Sequence, residues 1–235
     1  MATCLDYAKI ASASYNPSTS QYYAEPPGHM VDDWNVKKFE TGSLLGNGFQ
    51  GGIWYNDTDV VVGCCGTNPG QAGKFAQDLV ADAKIGLHIL PNQSSSARNL
   101  VTLAKQMANG RRISATGHSL GGGLAQVIAC WEGIPFVSFN APAMRATMKM
   151  SKVNILQPTK MLRTWRGQKI DDTPGINFRI NGDFVSSGLL GNHVGTIVQL
   201  TNPKALHKSS NHAQSNCWQA VLETDWAFLD PFEAL

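Results

Sequence analysis

The chain of 235 residues contains no run of eighteen apolar residues, which excludes a membrane-spanning helix of ordinary length. Its first residues, Met1-Ala-Thr-Cys-Leu-Asp-Tyr, lack a basic segment followed by an apolar stretch. The expectation is therefore a cytoplasmic chain, or one exported by a route that uses no cleaved signal. No Cys-x-x-Cys or His-x-x-x-His spacing marks a structural metal, and neither a metal nor a cofactor is expected. A net charge of only +2 gives no electrostatic reason to expect a nucleic-acid partner. The five cysteines, Cys4, Cys64, Cys65, Cys130 and Cys217, cannot all pair, and three of them sit in apolar stretches where a thiol behaves as a small hydrophobe. A reduced chain without a disulfide framework follows. Internal repeats and linkers are also lacking, so residues 1–235 read as one domain long enough to bury a sizeable core.

What is present is an alternation of helical and strand patterns. Leu5–Tyr15 has apolar residues at helical spacing, and residues 16–47 are rich in Pro, Gly, Tyr and Asp and read mostly as loop. Gly51–Tyr55 and Asp59–Cys65 are β-rich runs joined by Asn56-Asp57-Thr58, a hairpin. Lys74–Ala83 and Ser95–Ala108 read as helices, the second capped by Ser94, Ser95 or Ser96. Strands are expected at Arg112–Thr116, Pro135–Phe139, Ile176–Asn181 and Val194–Leu200, with helices at Leu120–Trp131 and Gln214–Leu222. This order predicts an α/β fold with a mostly parallel central sheet and helices on both faces. Function in such sheets sits beyond the carboxyl ends of the strands.

One such end carries Gly117-His118-Ser119-Leu120-Gly121, followed by Gly122 and Gly123. G-x-S-x-G alone is a weak signal, matched by chance in about one chain in ten to fifteen of this length. The strand before it and the helix after it make it a strong one. A serine on a tight strand-to-helix turn is pushed out of the backbone, and small residues two positions either side let strand and helix pack around it. The helix N-terminus favours the negative charge that an acyl-transfer transition state develops.

A serine hydroxyl needs a general base, and the base needs an orienting carboxylate. Of the acidic residues after Ser119, only Asp183 ends an apolar strand, in Ile180-Asn181-Gly182-Asp183. Three histidines follow. His193 precedes the last predicted strand and would sit at the wrong end of a parallel sheet, whereas His207 and His212 follow that strand. His212 leads into a helix that can anchor its loop and is the preferred base, with His207 the alternative. His118 is expected to pack beside the turn. Oxyanion donors are expected from the N–H of Leu120 and from Thr67, which follows the apolar strand Asp59–Cys65 and Gly66.

These residues resemble the class 3 lipases. The likeness runs from the opening helix to His212 and rests on Gly-His-Ser-Leu-Gly-Gly at 117–122, Gly66-Thr67 with Asp78-Leu79, Phe139-Asn140-Ala141-Pro142, and Asn181-Gly182-Asp183. Cys65 stands where the family usually has Arg. The resemblance implies an α/β-hydrolase fold and a carboxylic ester hydrolase acting on acyl lipids, of phospholipase A1 or triacylglycerol lipase type. Its triad is Ser119, Asp183 and His212, and its oxyanion hole is Thr67 and Leu120. It also implies that the histidine before the last strand is not the catalytic one. A thioesterase or small-ester carboxylesterase with the same triad, and a catalytically idle binding module, are the alternatives.

In that family the lid follows the oxyanion residue. Here 68–76 carries one large apolar residue, Phe75, which argues against strong activation at an oil interface. Met144–Ile170 holds seven Lys or Arg and no Asp or Glu, interleaved with Met, Leu, Ile and Trp. Basic and apolar residues mixed in this way suit transient contact with an anionic membrane surface, and a solvated cap helix is the competing reading. The expected partner is a lipid or ester substrate. Nothing in the sequence fixes the oligomeric state.

Overall fold

Alternate residues of the central strands feed two different cores, because successive side chains on a strand point to opposite faces. A computed structural model of the chain describes residues 1–15, 31–40, 48–66, 93–151, 170–187, 191–201 and 214–234. In it Val60, Val62, Ala115 and Phe136 pack with the helices on one face, while Val61, Val137, Phe139, Ile176 and Phe178 pack with those on the other. Each fully buried Leu, Ile or Phe contributes about 1.5–3 kcal/mol of hydrophobic stabilisation.

The described strands are β1 (Asn35–Glu40), β2 (Gly51–Tyr55), β3 (Asp59–Cys64), β4 (Arg112–His118), β5 (Phe136–Phe139), β6 (Gly175–Ile180) and β7 (Thr196–Leu200). Among the described residues they form one seven-stranded sheet whose spatial order equals chain order. β1, β2 and β3 are antiparallel neighbours, and β3 through β7 run parallel. One face is covered by α2 (93–107), α3 (Leu120–Glu132) and α4 (Arg145–Ser151). The other is covered by α1 (Cys4–Ala13) and α5 (Gln214–Leu222). This is the sheet with helices on both faces that the alternation predicts.

Local chemistry sets the helix ends. Thr3 and Asp6 form a reciprocal capping box at the start of α1. α3 stops at Gly133, whose left-handed conformation (φ 66°) lets its N–H bond the carbonyl of Ala129 at 2.9 Å. Arg98 and Lys105 of α2 pair with Glu132 at the end of α3 and tie the two helices together.

Three expectations about elements need correction. β1 falls inside the segment read as loop. It is a largely exposed edge strand with a bulge between Val36 and Lys38, so it carries no clean two-residue alternation to read. Helix α2 already includes residue 93, which puts Ser94, Ser95 and Ser96 inside its first turns instead of at its cap. β7 begins at Thr196, two residues later than expected. The helix expected at 74–83 lies outside the described residues.

All five cysteines are buried free thiols. No described helix is long and apolar enough to cross a membrane, and no group of metal-binding side chains occurs among the described residues.

Candidate active site

The strand register brings the polar ends together. Cys64 pairs with Gly117, His118 with Phe139, Phe139 with Phe178, and Ile180 with Leu200. Cys65-Gly66, Ser119, Asn140 and Asn181–Asp183 therefore leave the sheet at one edge.

Ser119 links β4 directly to α3 with φ 56° and ψ −130°, a backbone conformation that costs a non-glycine residue about 1–3 kcal/mol. The surroundings hold it there. Its N–H bonds the carbonyl of Phe139 at 3.0 Å, and its carbonyl receives the N–H of Gly123 at 3.1 Å. Side chains are excluded on either side. A Cβ on Gly117 would strike the Gly121 backbone, and one on Gly121 would strike the Cys64 carbonyl. The half-buried serine thus sits at the N-terminus of α3, where the N–H groups of the first turn, Leu120 included, have no intrahelical acceptor.

His118 packs beneath this turn. It is buried, and its Nδ1 lies 2.9 Å from the hydroxyl of Tyr15 just after α1. Gly66 lies against the same corner. A Cβ on it would come within 2.5 Å of the Tyr15 hydroxyl and 3.2 Å of the Ser119 Cβ. The chain leading into Thr67 therefore passes beside Ser119. Thr67 itself lies outside the described residues, as do His207 and His212.

Asp183 is set by a turn closed by its N–H to the Ile180 carbonyl at 3.0 Å, with Gly182 supplying the positive φ of 83° at the third position. The side chain is 1 % exposed. Its Oδ2 accepts the Ser186 N–H at 2.9 Å and the Ser186 hydroxyl at 2.5 Å. Asn140, itself at φ 44°, braces the base of this turn: its Oδ1 accepts the Ile180 N–H at 2.8 Å, and its Nδ2 donates to Cys217 Sγ at 3.1 Å. Burial, and then the nearby Asp183 carboxylate, push the Cys217 thiol well above its ordinary range.

His193 precedes β7, and β7 is parallel to β6, as expected. The residue nevertheless reaches the aspartate loop, through Ser186. His193 Nε2 lies 3.1 Å from the Ser186 carbonyl. No sequence signal assigns Tyr15 or Ser186 to the site, and Asn140 stands there only within Phe139-Asn140-Ala141-Pro142. Its residue type is a usable signal, since Asn is enriched several-fold among the few non-glycine residues at positive φ.

The chain has relatives. A model of the Tle-like phospholipase domain, a phospholipase-like family, matches residues 8–189. No curated protein matches the sequence. Among solved structures, the Rhizomucor miehei lipase in its propeptide complex is 14% identical, with 94% of this chain and 79% of that one aligned at a TM-score of 0.55. A triacylglycerol lipase whose catalytic centre is described as a serine protease triad is 15% identical over 85% and 79% of the two chains, at 0.54. The Lip2 lipase from Yarrowia lipolytica is 14% identical over 83% and 77%, at 0.50. At such identities the likeness is one of fold: the α/β-hydrolase fold of the class 3 lipases.

Proposed function

Because the chain belongs to the Tle-like phospholipase family, we propose that it hydrolyses the carboxylic esters of phospholipids through a serine nucleophile and an acyl-enzyme. The observation that carries this reading is Ser119, held at positive φ on a strand-to-helix turn beside the N–H of Leu120. A backbone strained in this way persists only where its surroundings over-determine it, and such sites cluster at reacting groups.

In the proposed reaction His212 takes the proton of Ser119 as Oγ attacks the ester carbonyl carbon. The carbonyl oxygen becomes an oxyanion, received by the N–H of Leu120 and by Thr67 through its N–H and hydroxyl. The tetrahedral intermediate collapses, His212 gives its proton to the leaving alcohol, and the acyl group stays on Ser119. Water then repeats the sequence with His212 as base and releases the fatty acid. Asp183 accepts the second ring N–H of His212 and stabilises the imidazolium. No cofactor or metal is needed.

The experiment is release of fatty acid from vesicles of defined phospholipids against triacylglycerol emulsions and a soluble short-chain ester, with Ser119→Ala as control. A fluorophosphonate probe should label the native chain and leave Ser119→Ala unlabelled. Hydrolysis of triacylglycerol alone would assign the chain to the lipase type. Hydrolysis of the soluble ester alone would support the small-ester alternative, and absence of labelling would support an idle binding module.

Membrane contact through 144–170 has a narrower basis than the composition suggests. Met144 and Met148 are buried in the core, and Arg145 pairs with Asp171 at 2.8 Å. The surface-contact proposal therefore rests on Lys149, Met150 and the basic and apolar residues of 152–169.

A further inference from the structure

The residue most tightly engaged around Asp183 is one to which the reaction assigns no role. Ser186 is completely buried, and every polar atom it owns is used. Its N–H and hydroxyl both donate to Asp183 Oδ2, at 2.9 and 2.5 Å. Its carbonyl oxygen is held in turn by Arg179 Nη1 at 3.3 Å and by His193 Nε2 at 3.1 Å. A carbonyl can only accept, so the His193 proton is on Nε2. Its Nδ1 has no hydrogen-bond partner among the described residues. Burial, together with the Arg179 charge, disfavours the imidazolium and keeps this donor a neutral one.

We propose that Ser186 is a positioning residue for ester hydrolysis, fixing the Asp183 carboxylate while His193 and Arg179 fix Ser186. The proposal rests on the reading of Asp183 as the triad carboxylate. The terminal torsion of an aspartate is broad, so a carboxylate left to itself samples a wide range of orientations. Two donors on one oxygen restrict that freedom and thereby set the direction of the other oxygen, Oδ1. An N–H from three residues on would by itself be an ordinary turn. The buried hydroxyl, aimed at the same oxygen and anchored through the carbonyl from β6 and from the segment before β7, is what a turn does not require. The arrangement also gives His193 a use that its place before β7 concealed.

The test is a kinetic cycle on a soluble short-chain ester with Ser186→Ala, Asp183→Ala and the double variant. Ser186→Ala should lower kcat about 10- to 100-fold, the worth of one hydrogen bond to a charged group, with KM changed less than about twofold. In the Asp183→Ala background the same change should have almost no further effect, because the group it positions is gone. An unchanged kcat for Ser186→Ala overturns the proposal, and so does a full loss repeated in the Asp183→Ala background. Native activity of Asp183→Ala is a different failure, that of the triad reading itself. Should Ser186→Ala not fold, His193→Leu and His193→Gln take its place. His193→Leu should lose several-fold in kcat, and His193→Gln, which keeps a donor for the Ser186 carbonyl, should recover most of it. Equal kcat in the two would overturn the proposal.

Discussion

The two ends of the sheet's parallel strands are built on opposite plans. At the carboxyl ends of the strands stand three positive-φ positions, Ser119, Asn140 and Gly182, and a buried carboxylate whose described partners come from its own loop. At the amino ends, Asp59 at the start of β3 receives Arg112 Nε at 2.7 Å, the Thr58 hydroxyl at 2.7 Å and the backbone N–H of Ala2 at 2.8 Å. Arg112 also reaches Asp230 at 2.6 Å and lies over the Phe232 ring. One end thus joins sequence-distant segments through opposite charges. The other end holds backbone strain at the serine proposed as nucleophile. An element that stabilises can turn its charged groups on one another, whereas an element that reacts has to leave some of its bonding capacity for substrate.

If the division is real, substitutions at the two ends should separate activity from stability. The largest effect expected is that of Ser119→Ala, a loss of about 10⁴–10⁶ in kcat with the urea midpoint unchanged. More than a tenth of the native activity surviving would break the comparison at its reactive end. Next in size is Arg112→Met, which leaves the Asp59 and Asp230 carboxylates near each other without their shared cation. It should cost about 3 kcal/mol of stability, at the low end for a broken buried pair because the guanidinium is partly exposed. kcat per phosphonylated site should not change, and a fall in kcat with an unmoved urea midpoint would show that the far end serves the chemistry after all. Thr67→Ala should lower kcat about 10²–10³-fold, as for one lost oxyanion donor, and an effect confined to KM would remove Thr67 from the hole.

The smallest expected effect is one of pH. Burial lowers the His193 pKa below its usual 6.5, the Ser186 carbonyl opposes this, and the Arg179 charge reinforces it. Below about pH 6.5 the unfolded chain therefore binds a proton that the folded chain resists. The stability contributed by the neutral imidazole is complete above that pH. It falls with acid by up to about 1.4 kcal/mol per pH unit until the folded pKa is passed. Urea unfolding between pH 5 and 8 should show this slope, and His193→Gln should flatten it. Identical slopes would mean that the ring titrates alike in both states.

How much of this the sequence discloses depends on how far each signal travels along the chain. Gly117-His118-Ser119-Leu120-Gly121 is legible because the strand, the turn and the helix that need those residues are contiguous. Asp183 is legible because an apolar strand and a Gly turn precede it directly. Tyr15 is not, since its hydroxyl meets His118 across 103 residues and nothing near either one announces the other. Ser186 reads as one serine in a polar loop, because its role comes from Arg179 and His193 meeting one carbonyl. β1 is hidden for a different reason: an exposed, bulged edge strand buries too little to impose a pattern.

The cover that α1 receives has a consequence for how the chain is made. Tyr7, Ile10 and Ala11 lie in one apolar cluster with Cys217, Ala220, Val221 and Ala227, and the N–H of Cys4 bonds the carbonyl of Leu229 at 3.0 Å. One side of α1 therefore waits for α5, which is made about two hundred residues later. Strands β1 to β7 can pair in the order they appear, since each neighbours its successor, and α1 can pack on β3 and β4, but the part of that face over β6 stays uncovered until the C-terminal segment arrives. A contact spanning nearly the whole chain is slow to close and leaves apolar surface open to aggregation meanwhile. Deleting residues from 225 onward should accordingly harm yield and solubility well before it touches any residue of the proposed reaction.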